Sequence, residues 1–596
     1  MKKRIADIVT SFLVEQGVKD IFTVTGGGAM FLNDGVASDK NLHHISNHHE
    51  QACAMSAVGY AKYKNDLSAV MLTTGCGATN AITGVLDAWG DNTPVIFISG
   101  QVKRKETSRN SKKILRTFGV QETDIISIVQ SITKYSVMIN EPEDILFHLE
   151  KATYLALSGR PGPVWIDIPL DVQGISLDVD NLRHYEPPPK VIEEIQGLDK
   201  FIKSYNKSQR PIILAGNGVR LSGSLDLLKK FTSVNNLPCV VTYLGVDYFE
   251  QEDINYVGRI GIKGDRAGNF AIQNSDLIIC LGSRLSTSQT GFEYSLFGRD
   301  ATLVVIDIDK EEHQKKTVHI DEFINADVGL FLEKVMNKIS PKPRTEWQSK
   351  CLDWKNKWPV YQGDYDVDNI NMYEFTNTLS KLLGENSVVV SDAGSAFFIT
   401  SQSLKISHTS QRYITSGAQA DMGFSLPAAI GACLASKNTV IGITGDGSFQ
   451  MNIQELQTIK HHDLPIKVMV MNNKGYQSIR ATQNNFFDGR KIGTDNESGI
   501  SFPSVEKISA AYGLPFVKID NSNELAQKLK KVINHKGPVI CEVNCSDDQK
   551  IIPAVHAAKN ADGSMTSKPI EDMYPTLERK EFFNEMIIPP LLDNNS

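Results

Sequence analysis

Short apolar runs recur along this chain without polar alternation: IFTVTG at 21–26, SAVMLTTG at 68–75, TPVIFISG at 93–100, PIILAG at 211–216, DLIICLGS at 276–283, TLVVIDID at 302–309, SVVVSDAG at 387–394, TVIGITGDG at 439–447, IKVMVMNN at 466–473 and PVICEVN at 538–544. A strand with one wet face alternates, so runs like these belong to parallel strands covered by helices on both faces. The segments between them carry helical periodicity. The expected fold class is therefore α/β, with three doubly wound parallel-sheet domains. Two composition breaks separate them, a Pro-bearing stretch over 174–193 and a polar, Trp-bearing stretch over 341–366. The expected units are 1–175, 190–340 and 368–548, followed by a C-terminal arm over 549–596.

The balance of 62 Lys+Arg against 69 Asp+Glu leaves a net charge of −7, which offers no field for gripping nucleic acid. Hydrophobic residues at 41% and charged residues at 22% are those of an ordinary folded protein. No run approaches the roughly 18 apolar residues of a membrane span. The N-terminus MKKRIADIVTSFLVEQG starts basic, but its helical spacing, interrupted by Asp7 and Glu15, reads as a first helix and not an address. The eight cysteines are scattered without a Cys-x-x-Cys pair, mostly in apolar or Gly-rich strings, and read as reduced, buried residues of a cytoplasmic protein.

The strongest local signal begins at Gly445, in GDGSFQMNIQELQTIKHHDLPIKVMVMNNKGYQ. Asp446 ends one strand and Asn473 the next, 27 residues later, with a helix between them. Neighbouring parallel strands put both side chains at the same carboxyl edge, where open α/β sheets bind ligands. One carboxylate, one amide and a nearby backbone carbonyl are hard oxygen donors that suit Mg²⁺ with phosphate oxygens and water in its other positions. The glycines let the backbone approach phosphate, and the helix N-terminus adds partial positive charge. Gly-Asp-Gly alone occurs in many turns; strand context, spacing and the terminal Asn-Asn pair carry the reading.

With NHHEQACAMSAVGYA at 47–61, TTGCGATNAITGVLDAW at 73–89, ISGQV at 98–102, GRPGPVWIDIPLDVQ at 159–173 and SGAQADMGFSLPAAIGA at 416–432, the chain resembles the thiamine-diphosphate enzymes of the acetolactate synthase (acetohydroxyacid synthase) group. The resemblance runs over roughly 1–550. It implies a pyrimidine-binding, a central and a diphosphate-binding domain in that order, with thiamine diphosphate and Mg²⁺ as cofactors. Glu50 matches the glutamate that hydrogen-bonds N1′ of the aminopyrimidine. Met422 matches the apolar residue wedged beneath the bent cofactor. Asp446, Asn473 and the Gly475 carbonyl match the metal ligands, and Gly445, Gly447 and Ser448 the diphosphate turn. Gly394, Ser395 and Ala396 occupy the strand-end loop that cups the diphosphate, where the family's usual Gly-Gln-His is absent. Gln121 matches a glutamine near the reacting carbon, and Gly27 a loop giving a backbone N–H to the same pocket. His48 and His49 stand beside Glu50, where a helix-start histidine is ordinarily structural. Because the pyrimidine-binding and diphosphate-binding units meet across a subunit boundary in the family, the resemblance implies a homodimer or homotetramer.

Three departures lie on the acceptor side. Val120 stands where the family carries Phe, Thr482 near the place of a Trp, and Leu170 replaces the Lys of Pro-Lys-Asp-Val. Each removes bulk or charge. The segment from Val102 to Phe118 holds seven Lys/Arg against one Glu and leads into Val120 and Gln121. A charge run is ordinarily a solvated face. Beside an enlarged pocket, Arg109, Lys112 and Lys113 are also candidates to meet an anionic acceptor. In the central unit GNGVRL at 216–221 lacks the last Gly of a dinucleotide fingerprint. Arg284 and Gly264 match places that hold FAD in acetolactate synthases, while other members keep this domain without flavin. The stretch 562–575 of the arm is a candidate to close over the site or to pack as a plain arm. The expected activity is decarboxylation of a 2-keto acid, pyruvate first, and transfer of the two-carbon unit to a carbonyl acceptor. The alternatives are a simple decarboxylase or C–C hydrolase on the same scaffold, and a non-catalytic cofactor-binding paralogue.

Overall fold

The computed structural model describes residues 1–189, 194–363, 368–559 and 565–591. The first residues of the expected central unit (190–193), the end of the second composition break (364–366), the start of the 562–575 stretch and the last five residues of the arm lie outside the described residues.

Three six-stranded sheets dominate, each parallel throughout. The first contains β1 (Asp20–Thr23), β2 (His43–Ser46), β3 (Ser68–Leu72), β4 (Val95–Gln101), β5 (Tyr135–Met138) and β6 (Val164–Pro169), in the order β2-β1-β3-β4-β6-β5. The second contains β7 (Pro211–Ala215), β8 (Cys239–Val241), β9 (Tyr256–Arg259), β10 (Leu277–Leu281), β11 (Thr302–Asp307) and β12 (Glu322–Asn325), ordered β9-β8-β7-β10-β11-β12. The third contains β13 (Val388–Ser391), β14 (Arg412–Thr415), β15 (Val440–Gly445), β16 (Ile466–Asn472), β17 (Phe516–Ile519) and β18 (Val539–Asn544). Its order, β14-β13-β15-β16-β18-β17, repeats that of the first sheet. Every residue of β3, β4, β7 and β10 is buried, as unalternated composition requires. The expected first helix runs Ile5–Glu15, preceded by a short strand, Lys2–Arg4, on Ser176–Asp178.

The first and third domains are joined by two helices, Glu50–Lys64 and Ser425–Ser436. Both are rich in Ala, Gly and Ser, so their backbones come close and almost every side chain between Glu50 and Ala61 is buried. A Cβ added at Gly431 would overlap the Ser56 carbonyl oxygen, and one at Gly59 the Ala428 carbonyl. Those are backbone atoms that cannot swing aside. Gly431→Ala is therefore expected to cost about 1–3 kcal/mol, the scale of overpacking, and to lower the melting midpoint by several degrees in calorimetry. An unchanged midpoint would show that the helix pair tolerates separation.

The C-terminal arm packs on the central domain. Arg266 donates to the Met573 carbonyl at 3.3 Å, Arg299 pairs with Glu571 at 2.7 Å, and Trp354 and Lys350 both reach Glu585. Phe582 meets Phe270 edge to face. Of the two roles open to 562–575, its described part takes that of a packed arm. Seven cysteines are buried, as expected; Cys76 departs from that expectation and is exposed at the start of a short helix. No helix among the described residues is long and apolar enough to cross a membrane.

Candidate active site

In the third domain β15 and β16 are hydrogen-bonded neighbours, with Gly445 opposite Met471. Asp446 and Asn473 therefore leave the sheet side by side at its carboxyl edge. Asp446 starts the short helix Asp446–Phe449; its Oδ2 accepts from the Gly475 N–H at 2.9 Å and its Oδ1 from the Gly447 N–H at 2.8 Å. Burial pushes this carboxyl up to about 6, because those amides only partly offset the lost hydration. Asn473 Oδ1 is buried and has no hydrogen-bond partner. A buried carboxylate beside a buried amide oxygen without a protein partner is a set of hard oxygen donors, and it fits Mg²⁺. Arg480 fixes the turn from behind, donating to the carbonyls of Asn473 at 3.1 Å and Asp547 at 2.8 Å.

Around this pair the expected cup assembles. Gly394 has φ +57°, a left-handed conformation suited to glycine, and starts the helix Gly394–Ser403. The side-chain direction at Gly394 faces Ser478 Oγ, 3.3 Å from where a Cβ would stand. Ser478 Oγ and Gln477 Oε1 are buried without partners. Neither residue was singled out from the sequence; the missing Gly-Gln-His of the cup was the signal that another segment must supply polar groups there. Ser448 Oγ accepts from the Gly423 N–H at 2.7 Å and donates to Asp392 at 2.7 Å, which ties the Met422 loop to the Asp446 turn. Met422 is 40% exposed, which excludes it from the packed core.

In the first domain Glu50, Gln121 and Gly27 converge on the TTGCGATN segment. Glu50 opens its helix, 9% exposed, and its Oε2 accepts from Asn80 Nδ2 at 2.9 Å. The Gly27 loop is fastened through the Gly28 N–H to Thr73 Oγ1 at 3.2 Å. Gln121, at φ +60°, seats its carbonyl against Gly75 and leaves the rest of the residue exposed. His49 is structural: its Nδ1 accepts from the Gln51 N–H and caps the helix. Asn47 Nδ2 and the His48 N–H both donate to Glu455, at 2.8 and 2.9 Å, anchoring this segment on the third domain. Among the described residues, no hydrogen bond joins Glu50 to Asp446, Asn473, Gly475 or Met422.

The acceptor-side candidates divide. Val120 is 83% exposed and Thr482 is exposed on the helix Gln477–Phe486. Lys112 and Lys113 have no carboxylate within ion-pair distance among the described residues. Arg109, the third basic candidate, does not stand free. It pairs with both oxygens of Asp124 at 3.0 Å, while Arg104 pairs with Asp171 at 2.9 Å. The two FAD candidates are not brought together. Arg284 lines a cleft with Arg160, Asn217 and Asp307, where Gly264 has no part. Glu312 there takes Arg160 at 2.9 Å, Lys315 at 2.6 Å and Arg284 at 3.4 Å, so the cleft's cations already hold carboxylates.

One further cluster borders the site. Lys62 faces Asp91 at 2.7 Å and Asp87 at 3.4 Å, and Asp91 accepts from the Gly417 and Ala418 N–H groups. Asp421, one residue before Met422, contacts Ser416 Oγ. Burial pushes Asp87 up to about 7 and Asp421 to about 6, with one lysine to serve three carboxyls. The folded chain thus keeps protons that an unfolded Asp, near pH 4, has released. This contribution to stability falls as pH rises from about 4 to about 7. Asp87→Asn should remove the Asp87 share of that slope and leave that of Asp421, and parallel melting profiles for variant and wild type would refute a proton held at Asp87.

Comparison with known proteins finds the three domains in the same order. The N-terminal TPP binding domain of thiamine pyrophosphate enzymes matches residues 3–132, the central domain 198–335, and the C-terminal TPP binding domain 392–543. The acetolactate synthase large subunit of Lactococcus lactis is 33% identical over 567 residues, covering 94% of this chain and 95% of its own. Isozyme 2 large subunit of Escherichia coli is 31% identical, covering 92% and 97%. The probable acetolactate synthase large subunit of Methanocaldococcus jannaschii is 31% identical, covering 92% and 93%.

Proposed function

The chain belongs to the thiamine pyrophosphate enzyme family, in the company of acetolactate synthase large subunits, and from that premise we propose that it is a thiamine-diphosphate- and Mg²⁺-dependent decarboxylating carboligase. It takes pyruvate or a related 2-keto acid and passes the two-carbon unit to a carbonyl acceptor larger or more anionic than a second pyruvate, such as a keto sugar. The observation that carries the reading is the orphaned Asn473 Oδ1 beside the buried Asp446 carboxylate.

Asp446, Asn473 and the Gly475 carbonyl would hold the cation. Gly394, Ser395, the Gly445–Ser448 turn and the partnerless Ser478 hydroxyl would take the diphosphate oxygens. Thiamine diphosphate bound there supplies carbanion chemistry at its thiazolium C2. Glu50, oriented by Asn80, would hold a proton at the pyrimidine N1′. Met422 would support the rings, and Gln121 with the Gly27 loop would face the reacting carbon. Two copies would complete each site, as a homodimer or homotetramer. The exposure of Met422, Ile479 (53%) and Val120 (83%) supports a surface that a second copy covers. The width of the acceptor side rests on Val120 and Thr482; of the basic residues, Lys112 and Lys113 remain available.

The test is a mass-spectrometric screen of pyruvate with ketone and keto-sugar acceptors. Coupled products beyond acetolactate are expected. Acetaldehyde alone would establish a decarboxylase, rapid acetolactate from pyruvate alone an ordinary synthase, and no turnover of any 2-keto acid a non-catalytic paralogue.

A further inference from the structure

The segment Gly261–Gly264 is held rigid on every side. Asn269 bonds the Gly261 N–H and carbonyl, each at 2.9 Å, the Ile262 N–H donates to the Ser288 carbonyl, and its carbonyl accepts from the Val555 N–H of the arm. Gln402 Nε2 donates to the Gly264 carbonyl at 2.9 Å. What this frame presents is Lys263. Its ammonium lies 4.2 Å from the ring centroid of Phe398. Among the described residues it has no carboxylate within ion-pair distance and no hydrogen-bond acceptor. Five other desolvated lysines have backbone or side-chain oxygens: Lys62 has two aspartates and a carbonyl, Lys355 and Lys467 two carbonyls each, Lys134 one, Lys405 an asparagine. Lys229 also lacks a bonded oxygen among the described residues, but the charges of Asp226, Asp253, Glu250 and Asp247 act on it, whereas none acts on Lys263. Burial, with nothing to offset it, pushes Lys263 down to about 8.

Its position gives that isolation a direction. Phe398 lies four residues after Gly394 on the helix Gly394–Ser403, and residues at that spacing share a face. Gly394 is the residue whose side-chain direction meets the orphaned Ser478 hydroxyl of the cup. Lys263 therefore touches a side chain that sits about one helical turn after Gly394, on the same face of that helix. We propose that Lys263 is a specificity-determining residue whose ammonium binds an oxyanion of the reactants, the carboxylate of the 2-keto acid or an anionic group of the acceptor. The inference rests on the carboligase reading. A rigid loop that spends burial on an unpaired cation is compensated when an anion arrives and supplies charge-assisted hydrogen bonds.

The first test needs no turnover. Trace acetylation of the intact protein, read by peptide mass spectrometry from about pH 6 to about pH 10, should show Lys263 titrating well below the usual lysine value of about 10.4. Pyruvate or inorganic phosphate should protect it severalfold. An ordinary midpoint without protection by either would overturn the proposal. In turnover, Lys263→Met should raise one KM about 10- to 100-fold, the scale of a lost charge-assisted hydrogen bond, with Lys263→Arg recovering most of it. A rise in the pyruvate KM for CO₂ release identifies the donor carboxylate as the anion. A rise confined to the transfer step identifies the acceptor. Unchanged KM values in both steps would overturn the role. Wild-type protein that releases no CO₂ from any 2-keto acid would instead defeat the carboligase reading, and the labelling result would stand apart from it.

Discussion

Asp446→Ala is expected to give a folded protein that no longer retains thiamine diphosphate. Asp446 is the carboxylate among the three proposed ligands, and without it the cation would sit between neutral oxygens and a diphosphate. Loss of an outer-shell partner of a metal ligand already costs about 10- to 100-fold in affinity, so loss of the charged ligand itself should cost about 100-fold or more. The same change relieves the cost of burying this carboxyl, which burial already pushes up to about 6. Because the Gly447 and Gly475 N–H groups lose their acceptor at the same time, the two effects oppose each other and the apo variant should melt close to the wild-type midpoint. Thiamine diphosphate with Mg²⁺ should raise the wild-type midpoint, because a ligand that binds only the folded state stabilises it, and leave the variant's unmoved. Cofactor that remains with the variant through gel filtration, at ordinary concentration, would show that the metal site lies elsewhere.

How far the sequence could be read is visible in this site. Asp446 and Asn473 were legible because β15 and β16 are consecutive, parallel and adjacent, so chain spacing translates directly into proximity. The three sheets were legible for a similar reason: β3, β4 and β7 are buried at every residue, and composition alone reports that. Ser478 and Lys263 were not legible. Ser478 matters because its hydroxyl is buried beside Gly394, 84 positions earlier in the chain, and nothing in QSIRATQ announces such a neighbour. Lys263 matters because, among the described residues, no carboxylate lies within ion-pair distance of it, and isolation is a property of the fold. The opposite error befell Arg109. Counting charges in the basic run could not reveal that Asp124, 15 residues on, folds back to meet it.

Glu50→Gln separates binding from chemistry more sharply than any other single change. The side chain is nearly buried, and Asn80 holds Oε2 at 2.9 Å, so the isosteric amide can occupy the same space. Gln can turn its own oxygen toward Asn80 Nδ2, which keeps the local packing and the cofactor's seat in the third domain undisturbed. What it cannot do is stabilise a proton at the pyrimidine N1′, since the negative charge that would favour the protonated ring is gone. Release of the C2 proton of bound thiamine diphosphate should slow by about two orders of magnitude or more, the usual scale for losing an acid–base group. Hydrogen–deuterium exchange at C2, followed by NMR, measures that step directly, and fluorescence titration measures cofactor affinity beside it. Slow exchange with near-normal affinity is the expected pair. Near-normal exchange would reject the role given to Glu50. Weak affinity with normal exchange in the bound fraction would make Glu50 a binding residue.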